Sequence, residues 1–485
     1  MANYKSIKYN FIMNFIRVLM TIVFPMITFP YASRVLTEYG VGRVTYVSTI
    51  VSYFQLIAAF GISNYAITEG AKIRNDKEKL NRFVSEMFYI NIFTMVIAYC
   101  SFIVVFLLPY FKSYRFLLAI NCTTIFFSTI GIEWLYELIE EYQYITIRSI
   151  VFQVISLILL FALVRNSNDA AWYIGLTVLA TAGSNVLNFI HSKRYVKISI
   201  KKIKFVDIKK HLKPMTYMFG VSVASVIYLN SDITMLGTMK SNREVGIYAA
   251  ATKMNQVLCQ LIKSICTVVL ARLSFYKSND KEDEYNSLLT SVFKSLVLLI
   301  IPAMFGMFLL APQIIMLISG ASYMDAVPTV RILVLNLFLS PINGFIAYQI
   351  FMPIKKEKII FWATCGGAVS NIIMNVVLIP YFSYNGAAIA TVMAEGMVML
   401  ISIRLGKRYI NIKNTGIGEY IKMFVAACPM IVFYFILSGI ENSNFIAYTL
   451  LMVLCCSVTY FVLLFLLKEN IVYSEFKRIT RRKNK

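Results

Sequence analysis

Apolar runs of about twenty residues recur from residue 11 to residue 467, separated by short polar or Gly- and Pro-containing stretches. At a rise of about 1.5 Å per residue, such a run crosses a hydrocarbon core of about 30 Å as an α-helix. The pattern predicts about fourteen spans. They fall at 11–36, 41–63, 83–109, 116–136, 149–164, 171–191, 214–239, 245–271, 288–311, 326–352, 359–379, 385–404, 421–437 and 445–467. The first run is too long for a signal-peptide core and lacks a small-residue cleavage site, so it predicts a retained helix. The expected fold class is an all-α integral membrane protein.

Composition agrees. The 485 residues are 59% hydrophobic and 15% charged, whereas a soluble domain carries about 25% charged residues. Lys and Arg number 47 against 24 Asp and Glu. A basic excess can signal nucleic acid, but in a membrane chain it first reports topology, because cytoplasmic loops retain Lys and Arg. With the N-terminus inside, the inner segments hold Lys72 to Arg82, the run from Lys193 through Lys201, Lys202 and Lys204 to Lys213, and Lys355 to Lys358. Arg404 to Lys413 and the tail Lys477, Arg478, Arg481, Arg482, Lys483 and Lys485 complete them. The outer loops hold few basic residues, among them Lys112, Arg115, Arg165, Lys240 and Arg243. Both termini are therefore expected in the cytoplasm, with an even number of spans and no nucleic-acid partner. The eight cysteines lie mostly in apolar segments without ligand spacing, and there are two histidines. No metal, cofactor or catalytic triad is expected.

The longest link, 192–213, divides the chain, and a faint repeat supports the division. Val41-Gly42-Arg43-Val44-Thr45-Tyr46 follows the first span, and Val245-Gly246-Ile247-Tyr248 follows the seventh. Each comes after a polar turn with an acid, Glu38 or Glu244. The expected organisation is two pseudo-symmetric six-helix lobes, 1–205 and 206–410, followed by two further helices and a basic tail at 411–485. Repeats in the same orientation place a substrate site between the lobes.

Four segments carry a family resemblance. They are Tyr31-Ala32-Ser33-Arg34-Val35-Leu36-Thr37 with Tyr39-Gly40, and Gly131-Ile132-Glu133-Trp134-Leu135-Tyr136-Glu137 with Tyr142 to Ser149. Asp232 with Leu236-Gly237 and Val245 to Lys253 form the third. The fourth is Asn371 and Asn375, Leu378-Ile379-Pro380 and Asn385 to Thr391. In this order they resemble the polysaccharide transporter family, the Wzx-type flippases, which share a superfamily with multidrug and toxin extrusion transporters and lipid II flippases. The resemblance implies a flippase that moves undecaprenyl-pyrophosphate-linked oligosaccharide from the cytoplasmic to the outer leaflet by alternating access, in a bacterial inner membrane. It implies membrane lipids and a glycan polymerase machinery as partners, and leaves H⁺ or Na⁺ open as a coupling ion. Two alternatives stand beside it. A cation-coupled drug exporter would depend on an intramembrane acid such as Asp232. A membrane-embedded glycan polymerase or acyltransferase would need a catalytic cluster, and the longest loop offers His211 alone.

An ionisable residue at bilayer depth faces a protein interior or a wet cavity. Arg17 lies several residues into the first span, and Lys253 about eight residues, roughly 12 Å, into the eighth. With Arg34 and Arg331 nearer the outer ends, these cations are the expected binders of the carrier pyrophosphate. The plainer reading is snorkelling, or ion pairing with Asp232, Glu133 or Glu395. Lys263 and Lys294 lie near inner ends and are expected to snorkel. Asp232 is a candidate for ion coupling or for pairing with an Arg. Glu86 is expected to reach the interface, and Glu137, Glu140 and Glu141 to form a solvated charge run. Tyr46, Tyr53 and Tyr228 are candidates for stacking on sugar rings.

Overall fold

With no water at membrane depth, each apolar segment closes its own backbone hydrogen bonds, and helices follow. The computed structural model describes residues 7–199, 205–410, 416–438, 445–473 and 477. Lys201, Lys202, Lys204, Lys413, Arg478, Arg481, Arg482, Lys483 and Lys485 of the expected basic segments lie outside the described residues. The chain divides into two compact units, Met1–Gly246 and Ile247–Lys485.

The first unit opens with α1 (Ile7–Ala59), whose 53 residues would extend about 80 Å if straight. It is two helices meeting at Thr37, whose φ of 61° and ψ of 178° lie outside the helical region, at the expected boundary of the first two spans. Then come α2 (Ile62–Gly70), α3 (Lys77–Leu107), α4 (Arg115–Gly131), α5 (Glu133–Leu138), α6 (Tyr142–Leu163), α7 (Ala170–Ser192) and α8 (Phe205–Met239). Asp76 caps α3 by accepting from the backbone N–H groups of Glu78 at 3.2 Å and Lys79 at 3.1 Å. The expected fourth span is interrupted: Ile132, at φ 36° and ψ 44°, separates α4 from α5. A buried cluster of Leu80, Val84 and Met87 with Ile62, Leu135 and Met215 joins α2, α3, α5 and α8.

The two repeat motifs meet inside this unit. A Cβ on Gly42 would stand 1.7 Å from the carbonyl oxygen of Asn242, and one on Gly246 would stand 1.9 Å from that of Glu38. The contact is reciprocal, since each motif's glycine packs on the backbone four residues before the other's. Tyr46, one turn on from Gly42, is fully buried, with its ring against Gly237 and its centroid 5.4 Å from that of Tyr114. This enclosure removes it from the sugar-stacking candidates.

The unit boundary falls within α9 (Asn242–Ser278). The second unit continues with α10 (Glu282–Leu309), α11 (Ala311–Ile318), α12 (Val327–Phe345), α13 (Glu357–Gly406), α14 (Ile417–Ala427), α15 (Pro429–Ser438) and α16 (Phe445–Leu466). The 50-residue α13 breaks at Ser383, between the expected eleventh and twelfth spans. The expected thirteenth span is divided between α14 and α15 ahead of Pro429. Past Phe345, α12 widens into a π-turn, Ile346–Phe351, where Met352 N–H reaches back to the Ala347 carbonyl at 3.0 Å. The Gln349 carbonyl there accepts from Tyr285 Oη at 3.0 Å, and its side chain donates to the Cys266 carbonyl at 3.0 Å.

Among the described residues, eleven helical segments are long and apolar enough to cross a membrane. The region Ile12–Gly70 and α13 each count once despite their internal breaks. Helix α9 carries Lys253, Asn255, Gln256, Gln260 and Lys263 along its first two-thirds. Its polar groups meet α12. Asn255 Nδ2 donates to the Leu333 carbonyl at 2.8 Å, and Lys263 Nζ to Ser340 Oγ at 2.9 Å. Lys263 therefore bonds a neighbouring helix instead of snorkelling.

Candidate functional site

The break at Ile132 positions a cluster of charge within the helices of the first unit. It starts α5, which carries Glu133 and Glu137 four residues apart, hence on one face. Both point at Arg17 of α1. Arg17 Nη1 donates to Glu133 Oε1 at 2.8 Å and Nη2 to Glu137 Oε1 at 2.7 Å, with Asn14 Oδ1 at 3.3 Å from Nη2. The Arg17 side chain is 19% exposed. Arg148 of α6 approaches from the other side: its Nη2 lies 4.0 Å from Glu133 Oε1, and its Nη1 donates to the Ser184 carbonyl at 2.9 Å. Two guanidinium groups and two carboxylates balance, which is how charge is tolerated at depth. The weighed pairing of Arg17 with Glu133 is present. The solvated charge run is not: Glu137 pairs with Arg17, and Glu140 pairs with Arg74. The four-residue spacing of Glu133 and Glu137 was the available signal.

The other expected site residues are distributed. Arg34 is exposed on α1, three residues before the break at Thr37. It lies 17 residues beyond Arg17, about 25 Å along the helix, so these two do not form one site. Asp232 is buried on α8. Nearby, Tyr53 Oη and Thr234 Oγ1 lie 2.9 Å apart, and Asn230 Nδ2 donates to Ser52 Oγ at 2.9 Å, tying α8 to the second half of α1. In the second unit, Lys253 is half-buried on α9. Arg331 is exposed on α12, its guanidinium 5.4 Å from the centroid of the Phe308 ring. Glu395 is buried on α13 and accepts from Asn343 Nδ2.

A second cluster escaped the sequence reading. His211 lies within α8, not in a loop, and is buried. Its Nε2 is 2.8 Å from Glu86 Oε2, and its Nδ1 is 2.8 Å from Tyr65 Oη. Glu86, expected at the interface, is 1% exposed and also pairs with Arg82 at 3.0 Å and Lys210 at 3.2 Å. Arg82 in turn reaches Asp207 at 2.6 Å. The cluster bolts α2, α3 and the start of α8 together around one carboxylate.

Long apolar helices with internal breaks and balanced, ion-paired charge among them define a multi-pass membrane protein of transporter fold. Its fold is similar to that of the lipid II flippase MurJ in an inward closed conformation, with a TM-score of 0.74 at 18% identity, covering 94% of this chain and 99% of that one. Residues 7–277, more than half of the chain, match the family model described as polysaccharide biosynthesis protein, and the chain belongs to that family. It is also similar to a Shigella dysenteriae protein described as an O-antigen transporter, 21% identical over 393 residues, which are 79% of this chain and 96% of that protein. A Haloferax volcanii protein described as a low-salt glycan biosynthesis flippase is 22% identical over 218 residues, 45% of this chain and 46% of that protein.

Proposed function

We propose that the protein is a flippase that carries lipid-linked oligosaccharide repeat units, on an undecaprenyl-pyrophosphate carrier, from the cytoplasmic to the outer leaflet for cell-surface polysaccharide synthesis. The family match over residues 7–277 carries this reading. The Shigella relative, described as an O-antigen transporter and matched over 79% of this chain, supports it. The protein then acts as a carrier and not an enzyme, cycling by alternating access, with glycan polymerase machinery receiving its product. Fourteen crossings in lobes 1–205 and 206–410, with 411–485 appended, belong to the proposal; the breaks at Thr37 and Ser383 and the 37-residue length of α9 favour them. So do both termini in the cytoplasm of a bacterial inner membrane, supported by the sign of the loops.

In this reading Arg17 and Arg34 in the first unit, and Lys253 and Arg331 in the second, are the cations offered to the diphosphate. Arg17 holds two carboxylates. A diphosphate would exchange with them for the same two N–H edges, leaving the guanidinium paired throughout. Asp232, Glu133 and Glu395 serve as charge partners or, with H⁺ or Na⁺, as coupling groups. The test is translocation of labelled undecaprenyl-pyrophosphate oligosaccharide in proteoliposomes, wild type against Arg17→Ala. Transport that the substitution abolishes, with insertion intact, supports both function and site; transport that survives it removes Arg17 from the site alone. The buried carboxylate of Asp232 favours a cation-coupled exporter as the second reading. Wild type that moves no lipid-linked glycan, but expels organic cations under an ion gradient and loses this with Asp232→Asn, would establish it.

A further inference from the structure

A cavity of about 460 Å³ opens in the first unit where α6 begins and α7 ends. Its floor includes Arg148, whose side chain is 4% exposed. A guanidinium carries five N–H donors. Here one goes to the Ser184 carbonyl, Glu133 stands at 4.0 Å, and the buried Nε finds no hydrogen-bond partner among the described residues. A buried cation with donors to spare is destabilising unless something completes it.

The walls indicate what completes it. Tyr144 and His191 stack with ring centroids 3.8 Å apart, and Tyr195 meets His191 edge-on at 5.3 Å. Tyr144 is held in place by its hydroxyl, which donates to the Leu187 carbonyl at 3.0 Å. On the membrane side the same cavity is lined by Ile147, Val151 and Leu187, all exposed apolar side chains. Polar aromatics followed one to two turns further along by exposed aliphatic groups mark the headgroup boundary of a bilayer. Glu141 also lines the cavity and disfavours ligands of high negative charge.

We propose that this cavity is a phospholipid site: Arg148 receives the singly charged phosphodiester, the Tyr144–His191–Tyr195 wall packs the headgroup, and Ile147, Val151 and Leu187 bed the first acyl carbons. It is separate from the transported substrate, and its test uses no transport assay. The occupant would also steady Arg148, and through Glu133 the ion pairs of Arg17.

The experiment is native mass spectrometry of the full chain in detergent, titrated with dihexanoyl phosphatidylethanolamine, with dihexanoylglycerol, which lacks the phosphate, and with inorganic phosphate. The phospholipid is expected to bind best. Arg148→Gln should weaken it roughly tenfold or more, the effect of losing a charge-assisted hydrogen bond. Leu187→Trp, which fills the cavity from its exposed wall and keeps Arg148, should weaken it as well, and decides the matter if Arg148→Gln does not fold. Equal binding of dihexanoylglycerol overturns the proposal, as does unchanged phospholipid binding by Arg148→Gln or by Leu187→Trp. Tighter binding of inorganic phosphate overturns it in favour of a free anion.

Discussion

Gly42 and Gly246 offer a test in which the sign of the effect is diagnostic. Both sit in helices, where replacing Gly by Ala ordinarily stabilises by about 1 kcal/mol. Here the new methyl carbon would lie 1.7 Å from the Asn242 carbonyl oxygen in one case and 1.9 Å from that of Glu38 in the other. Carbon and oxygen rest no closer than about 3.3 Å, so the backbones must part by roughly 1.5 Å. No flexible side chain can absorb that, because the obstructing atoms are main chain. Overpacking of this kind costs about 1–3 kcal/mol, and a backbone obstacle places it at the upper end. Set against the gain in helix propensity, a net loss of about 2 kcal/mol is expected for each substitution. Gly175→Ala and Gly396→Ala, which meet nothing within 4 Å, should instead be neutral or stabilising. Because both glycines belong to one contact, a chain parted by the first substitution accommodates the second more easily, and the double variant should lose less than the sum. The assay is thermal unfolding of detergent-purified protein followed by fluorescence-detected size exclusion. Stability of Gly42→Ala equal to or above wild type, in line with Gly396→Ala, would refute the close approach.

Three further outcomes follow from the two charge clusters and the cap of α3. Arg17→Gln leaves Glu133 and Glu137 facing each other and should cost about 1–2 kcal/mol, moderated by the partial exposure of both acids; Glu133→Gln added to it should restore part of the loss, and no restoration would mean the pair is not coupled. Glu86→Ala leaves His211, Arg82 and Lys210 around an empty position and should cost about 2–4 kcal/mol, more than His211→Ala, in the same thermal assay; the reverse order would deny Glu86 its central role. The Asp76 carboxyl is held below its ordinary value, first by its hydrogen bond with Lys79 Nζ and then by the Lys79 backbone N–H. Its cap is therefore fully present above the usual carboxylate range and is lost as pH falls through the lowered value. Amide exchange at Glu78 and Lys79 should accelerate across that acid window in wild type and be pH-insensitive, once intrinsic rates are removed, in Asp76→Ala.

Much of the architecture was legible because its signals are local. The turns at Thr37 and Ser383 lie where apolar runs give way to polar residues, so two long helices that read as continuous were still divided in the right places. The break at Ile132 was not legible, because apolar residues flank it and a hydropathy window averages across the interruption. His211 was assigned to a loop because neighbouring lysines dominate the composition there. Yet Ile208, His211 and Met215, all buried, recur at three- and four-residue steps, which is the helical pattern. At the charge clusters the sequence named Arg17 and one of its partners. Glu137 and Arg148 were missed because the depth of a charge was inferred from hydropathy, whereas its partner is set by which helices touch. Lys263 was misjudged for the same reason: its distance from the membrane boundary was countable, and Ser340 was not.

The π-turn at Ile346–Phe351 bears on how this helix tolerates changes in length. A π-turn is in effect one residue inserted into an α-helix. Deleting a residue elsewhere in α12 would rotate everything beyond it by about 100°, the angle per residue of a 3.6-residue turn, and swing the buried Leu333 and Leu337 out of phase with the rest. Deleting one residue within 346–351 would let the segment relax to ordinary helix with both sides still in phase. What it would forfeit is the Gln349 carbonyl's bond with Tyr285. Family members that differ from this chain by a single-residue gap in α12 are therefore expected to carry the gap here, together with a residue other than Tyr at the position of Tyr285.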